Sequence, residues 1–198
     1  MLELTKRPQS VEQEFDYKKT HDKCLIDLSL DMMLPPTALS IGKHDYKGNI
    51  YNNNTFTYGE FSAIVAGSKN KKTFFKSALI ASFIGGNATH YFPNFHSSRE
   101  EDCFIVDIDT EQGDYYSQRA FRRVADMVGK VYENYLPFGV EDLEPNEIIL
   151  FIDGLFNDPR YKGRIKWLSI DGVADLVVNS NDIIESKNVA SQLKKWRK

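Results

Sequence analysis

The alternation of apolar and polar positions divides the chain into short buried runs separated by helical patterns. Residues 62–65 (Ser62, Ala63, Ile64, Val65), 103–109 and 167–170 are apolar runs of the length expected for buried parallel strands, the last ending in Asp171. From Thr73 onward, Phe74, Phe75, Ala78, Leu79 and Phe83 follow helical spacing, and Gly85 and Gly86 stop it. Residues 114–135 predict a long helix with an apolar stripe of Ala120, Val124, Met127, Val128 and Val131, broken by Pro137. Pro145 suits the first position of another helix carrying Ile148, Ile149, Ile152, Leu155 and Phe156, although 148–152 also fits a strand. Asn181 and Asp182 read as the cap of a last helix with Ile183, Val189 and Leu193. The remaining pieces are a short strand at 37–41 after Pro35 and Pro36, a turn region at 43–58, a polar loop at 87–102, a short strand at 140–143 and an apolar continuation at 173–178.

Strands separated by helical patterns favour crossover connections. The expected fold is therefore a three-layer α/β/α domain with a mostly parallel sheet, in which 62–65, 103–108 and 167–170 are neighbours. Residues 1–36 are expected to be an N-terminal arm and 37–198 the α/β domain. Residues 1–10 are polar and read as loose, while 11–23 reads equally as a peripheral helix or as an arm docking on a neighbouring domain.

Composition narrows the class. With 198 residues, 41% hydrophobic and 27% charged, the chain is long and apolar enough for one sizeable core. A net charge of −3 supplies no global field for nucleic acid, leaving only a local basic patch for that purpose. Two cysteines, Cys24 and Cys103, match no metal or disulfide pattern, and His90 and His96 are too few for a metal site, so a reducing cytoplasm is expected. No apolar run has membrane-spanning length and none resembles a signal peptide, so no membrane association is expected.

The candidate chemistry lies around residues 66–74. A strand, a small polar loop (Ala66, Gly67, Ser68, Lys69, Asn70, Lys71) and a helix beginning Lys72, Thr73, Phe74 is the order of a phosphate-binding loop. There the first-turn N–H groups and the helix dipole face an anion, and lysine adds a mobile positive charge. The loop departs from G-x-x-x-x-G-K-[ST]: Ala66 stands at the first glycine, with Gly67 one position late, and Lys71 stands at the second. Lys71 should then have negative φ, or strain if φ is positive. A lysine-rich surface loop before a core helix is the plain alternative. Glu111 and Asp171 fall at the ends of two other expected strands, where open α/β sheets place their ligands. Together these residues match the needs of nucleotide hydrolysis: Lys72 on phosphate, Thr73 and Asp171 on Mg²⁺, and Glu111 on the attacking water. Taken singly, each acid also reads as a turn or solvated residue. Arg119, Arg122 and Arg123 read as a solvated helix face in preference to a charge-stabilising role.

Residues 61–65, the Lys69–Phe74 loop, the segment Ile108, Asp109, Thr110, Glu111, Gln112, Gly113 and the segment 168–177 resemble the RecA-like P-loop ATPases, nearest in kind to the replicative-helicase and RepA/KaiC-like ATPases of phages and mobile elements. The resemblance spans roughly 37–198. It implies a P-loop NTPase fold with ATP and Mg²⁺ as cofactors. It also implies Lys72 as the phosphate-binding and Glu111 as the catalytic residue, Thr73 and Asp171 (the Walker B acid) on the metal, and residues 66–74 around the nucleotide. Members act as homo-oligomers on DNA or as regulatory ATPases. Relatives continue with a sensor strand and DNA-facing loops, so this chain is expected to lack the C-terminal part of the core. Three functions follow: a helicase-like ATPase of DNA replication, recombination or mobile-element maintenance; a nucleotide-binding regulatory or structural module without turnover; and, more weakly, a small-molecule kinase.

Overall fold

Strand β4 (Phe104–Asp109) is the centre about which the fold is built. In the computed structural model, which describes residues 15–30, 35–67, 70–179 and 181–197, all of β4 after Phe104 is buried. Both of its edges are paired in parallel, with β5 (Tyr135–Gly139) on one side and β6 (Ile165–Asp171) on the other. Its side chains alternate between two cores, as the pleat requires. Ile105 faces a cluster with Ile80, Phe83, Val124 and Val128, from helices α2 (Lys72–Ile84) and α4 (Asp114–Val128). Val106 and Ile108 face the opposite cluster with Ile148, Ile152, Val189 and Trp196, from α5 (Pro145–Asn157) and α6 (Ile183–Trp196). The result is an α/β arrangement with helices on both faces of a three-stranded parallel sheet, and β4 and β6 are neighbours as expected from the sequence.

Helix boundaries follow local chemistry. Gly85 (φ 99°) receives the end of α2, and its N–H donates to the Ala81 carbonyl at 2.8 Å. Pro145 opens α5 inside a reciprocal cap between Glu144 and Glu147. The Asp182 carboxylate accepts from the Ile184 and Glu185 N–H groups at the start of α6.

Four expectations are corrected. Residues 62–65 form no strand: the chain from 60 to 67 has no regular structure, and Val65 is 92% exposed. An apolar run of four selects no partner by itself, and the third strand of the parallel sheet comes from 135–139 instead. The helix expected over 114–135 ends at Val128, because Gly129 adopts φ 85° and its N–H closes on the Ala125 carbonyl at 2.8 Å. Pro137, read as a helix breaker, lies within β5; the strand pairs on one side only, which lets a residue without N–H sit in it. The strand expected at 140–143 is loop.

The turn region at 43–58 is also different: β1 (Thr37–Tyr46) and β2 (Asn49–Thr57) make an antiparallel hairpin around Lys47 (φ 53°) and Gly48 (φ 80°). Its asparagine-rich, mostly exposed strand carries no apolar alternation, which hid it from a hydrophobic pattern. Within the expected polar loop 87–102 lie a short helix, α3 (Ala88–Tyr91), and β3 (Phe95–Ser97), which adds to β1. Residues 173–176 form a 3₁₀ turn that buries Leu176. The chain divides into units 1–34 and 35–198. In the first, α1 (Tyr17–Cys24) starts at Asp16, whose carboxylate accepts from the Lys19 N–H. Residues 1–14, 31–34, Ser68, Lys69, Ser180 and Lys198 lie outside the described residues. No described helix is long and apolar enough to cross a membrane.

Candidate functional site

The parallel register sets Asp109 level with Asp171 on β6 and Gly139 on β5, so the three strands end together. Helix α2 starts over this edge. Its N-cap, Lys71, has φ 57° and ψ 29°, the left-handed conformation that glycine adopts without a Cβ penalty. Positive φ is thus realised at the second glycine position of the loop, with a lysine bearing the strain. One turn of helix then delivers three side chains to a single carboxylate. The Lys72 ammonium is 3.2 Å from Asp171 Oδ1, the Thr73 hydroxyl donates to Asp171 Oδ2 at 3.0 Å, and the Lys76 ammonium is 3.5 Å from Oδ2. Glu111, just past β4, approaches the other side of Lys72, with Oε1 3.6 Å from Nζ. Four residues singled out in the sequence, Lys72, Thr73, Glu111 and Asp171, therefore meet at the carboxyl ends of β4 and β6.

Behind them lies a buried charge network. Lys76, with its side chain 8% exposed, sits 3.0 Å from Asp107 Oδ1 as an ion pair without a directed hydrogen bond. The Tyr135 hydroxyl donates to Asp107 Oδ2 at 2.8 Å. Burial pushes the Asp107 carboxyl up and outweighs the opposing pull of Lys76 and Tyr135. The Tyr135 hydroxyl is raised strongly by burial and by the Asp107 charge. Asp171 goes the other way: burial raises it, but the charge of Lys76, the Thr73 hydrogen bond and Lys72 together hold it below the ordinary aspartate value. Burial pulls Lys72 down, yet the hydrogen bond and charge of Asp171 and then Glu111 leave it raised. Glu111 and Asp171 thus both face the Lys72 ammonium, and Asp171 faces Lys76 as well.

The opposite shifts give opposite pH dependences. A depressed folded-state pKa at Asp171 stabilises the fold above the unfolded value, and that contribution is lost as pH falls through the folded value. A raised one at Asp107 favours the fold at low pH and is lost as pH rises through it. Accordingly, Asp171→Asn loses stability relative to the parent at neutral pH, and the two urea midpoints converge as pH drops below the ordinary aspartate range. A constant difference across that range would contradict the ionised, lysine-compensated state of Asp171.

The loop after β4 is shaped by residues that the hydrophobic pattern missed. Asp109, fully buried, accepts from the Glu111 and Gln112 N–H groups at 3.1 Å each and from the Gln112 amide at 2.9 Å. This local turn fixes Glu111 beside Lys72. The Thr110 hydroxyl lies 2.9 Å from the Asp171 carbonyl and 2.6 Å from Asp175 Oδ2, donating to one at a time, and so ties β4 to β6. The chain leaves β6 through Gly172, at φ 99°. A Cβ there would collide with Thr110 Oγ1 and come within 2.7 Å of Asp175 Oδ2 and 2.8 Å of Glu111 Cγ. Gly172→Ala should cost about 1–3 kcal/mol of stability from backbone strain and displaced neighbours. Urea unfolding unchanged to within experimental error would refute it. The signal for Asp109 and Thr110 was present as an Asx-turn sequence at a strand end. Lys76 and Asp107 showed as charges inside apolar runs.

Not every expected residue joins the cluster. Ala66, Gly67 and Asn70 lie on the exposed approach to α2, closed by an Asn70 N–H to Gly67 carbonyl bond of 3.3 Å, and Ser68 and Lys69 lie outside the described residues. Phe74 lines a neighbouring cavity of about 340 Å³ between the first turn of α2 and α4, which shares Thr73 with the cluster. Among the described residues no group of three or more His, Cys, Asp or Glu side chains is placed to hold a metal ion. The Thr73 hydroxyl and Asp171 fit a magnesium ion that brings its remaining ligands as phosphate and water, the usual mode for Mg²⁺, rather than one held in a protein cage. No protein-family model, curated protein or solved structure matches the chain.

Proposed function

We propose that this chain binds MgATP at the start of α2 and is a RecA-like P-loop ATPase domain serving DNA replication, recombination or mobile-element maintenance. The observation that carries the reading is the meeting of Thr73 with Asp171 across 98 residues of sequence, with Lys72 and Glu111 on either side. In this reading the Lys72 ammonium would leave its carboxylate partners for the phosphates, and Thr73 and Asp171 would hold the Mg²⁺ that accompanies the nucleotide. Mg²⁺ supplies Lewis-acid charge at the phosphates. Glu111, half-exposed and held by the Asp109 turn, orients the attacking water. Homo-oligomers and DNA are the partners that the sequence resemblance implies.

A regulatory nucleotide-binding module without turnover is the second reading. It is favoured by the left-handed Lys71 and by the absence of a strand at 62–65 among the described residues. Calorimetric titration with MgATP tests the site: saturable binding is expected, with Mg²⁺ and ATP together raising the melting temperature more than either alone. No heat at millimolar MgATP would refute it. Phosphate release with and without single-stranded DNA separates the two readings, since only the DNA-handling enzyme turns over faster on DNA.

A further inference from the structure

The cavity between α2 and α4 is a cationic chamber adjoining the Lys72 cluster. Its volume is about 340 Å³, and Lys71, Thr73, Phe74, Gln112, Arg119 and Arg123 line it. No carboxylate lines it. Among the described residues, Lys71, Arg119 and Arg123 make no ion pair within 4.0 Å, as is also true of Arg122, whereas Lys72 and Lys76 beside them on α2 do. Arg119 and Arg123 are four apart on one face of α4, a spacing at which like charges repel. Arg122, between them, lies off the cavity, whereas Arg119, itself exposed, lines it. Arg123 is half-buried, with its guanidinium 5.6 Å from the Phe74 ring centre, which steadies it near the first turn of α2. Three cations that face one space without a counter-charge are arranged for an anion, and guanidinium groups suit phosphate in particular. Thr73 belongs both to this wall and to the Asp171 cluster, so the chamber adjoins the Lys72 site at that residue.

We infer that Arg119 and Arg123 grip the terminal phosphate of a nucleoside triphosphate from within the same chain. This rests on the nucleotide reading above and adds the group recognised: a third phosphate, which a diphosphate lacks. It separates Arg119 and Arg123 from Arg122, which sequence alone grouped together as a solvated face.

The test is binding of MgATP, MgADP and inorganic tripolyphosphate to the full chain and to Arg119→Gln, Arg123→Gln, the double variant and Arg122→Gln. Melting temperatures, and the charge-preserving Arg119→Lys/Arg123→Lys pair, check that the variants fold. The double variant should lose on the order of 100-fold in affinity for ATP and tripolyphosphate, as expected for two charge-assisted contacts. Its affinity for ADP should change by no more than about threefold, and Arg122→Gln should match the parent. Equal ATP affinity in the parent and the folded double variant, or equal losses for ATP and ADP, would overturn the inference while leaving the nucleotide reading in place. Tripolyphosphate binding that depends on both arginines, without nucleotide binding, would keep the anion chamber and remove the nucleotide reading. Binding of none of the three ligands by the parent would overturn both.

Discussion

Replacing Lys76 with methionine is expected to cost about 3–5 kcal/mol of stability, the range for breaking a buried ion pair from one side. The substitution keeps the length and packing of the side chain on α2, so little of the effect comes from a cavity. What remains is Asp107, 1% exposed in its side chain, with the hydroxyls of Tyr135 and Ser169 beside it but no cation. Asp171 also loses one of its two lysines. For a chain of this size the melting temperature should fall on the order of 10 °C. The double variant Lys76→Met/Asp107→Asn should recover part of the loss, because a neutral amide can still accept from Tyr135 and no longer needs a cation. If Lys76→Met unfolds at the parent's denaturant midpoint, the network is not a structural charge pair. If the double variant is less stable than the sum of the two single changes, the coupling has the wrong sign.

The second large effect is on ligand. Lys72→Ala should weaken MgATP binding at least about 100-fold, since it removes a cation at the start of α2 that can move from carboxylate to phosphate. Its stability should change little, within about 1 kcal/mol, because the ammonium is a third exposed and its pairing with Asp171 and Glu111 is screened by solvent. The split between lost binding and retained fold is the informative result. Glu111→Gln should bind MgATP like the parent or more tightly, because it removes a negative charge 3.6 Å from Lys72. Any turnover should fall by roughly 10²–10⁴-fold, the span of a general base. A titration in which Lys72→Ala binds like the parent would make the α2 start structural. A Glu111→Gln chain that hydrolyses at the parental rate would remove Glu111 from the chemistry.

These effects arise at positions that differ in how legible they were. Lys72, Thr73, Glu111 and Asp171 could be found because each sits where a strand or helix begins or ends, and such ends are marked by local residues. Lys76 and Asp107 could not be given a role in the same way. A charge inside an apolar run reads as a break in the pattern until its partner is seen, and these two partners lie on different elements. Lys71 was expected to have negative φ or to bear strain at positive φ, and it adopts 57°. The geometry of the turn into α2 outweighs a Cβ penalty of about 1–2 kcal/mol.

Sequence alone determined the elements whose ends are written in their own residues: α2 to its glycine stop, α6 from Asp182 and the two strands that end in acids, while α5 was marked at Pro145 with 148–152 left open to a strand. It also determined that the chain is α/β, because strands and helices alternate along it. The neighbouring of β4 and β6 was also expected from it, but only the tertiary structure decided which run completes the sheet. Residues 135–139, with a proline in the middle, became the third parallel strand, while the more apolar run 62–65 stayed outside the sheet. Helix caps are settled within one turn of chain, by hydrogen bonds between neighbours. Strand partners, the Lys76 counter-ion and the chamber faced by Arg119 and Arg123 depend on contacts between segments far apart in sequence. Those are chosen by the burial of the whole sheet and not by any one stretch of it.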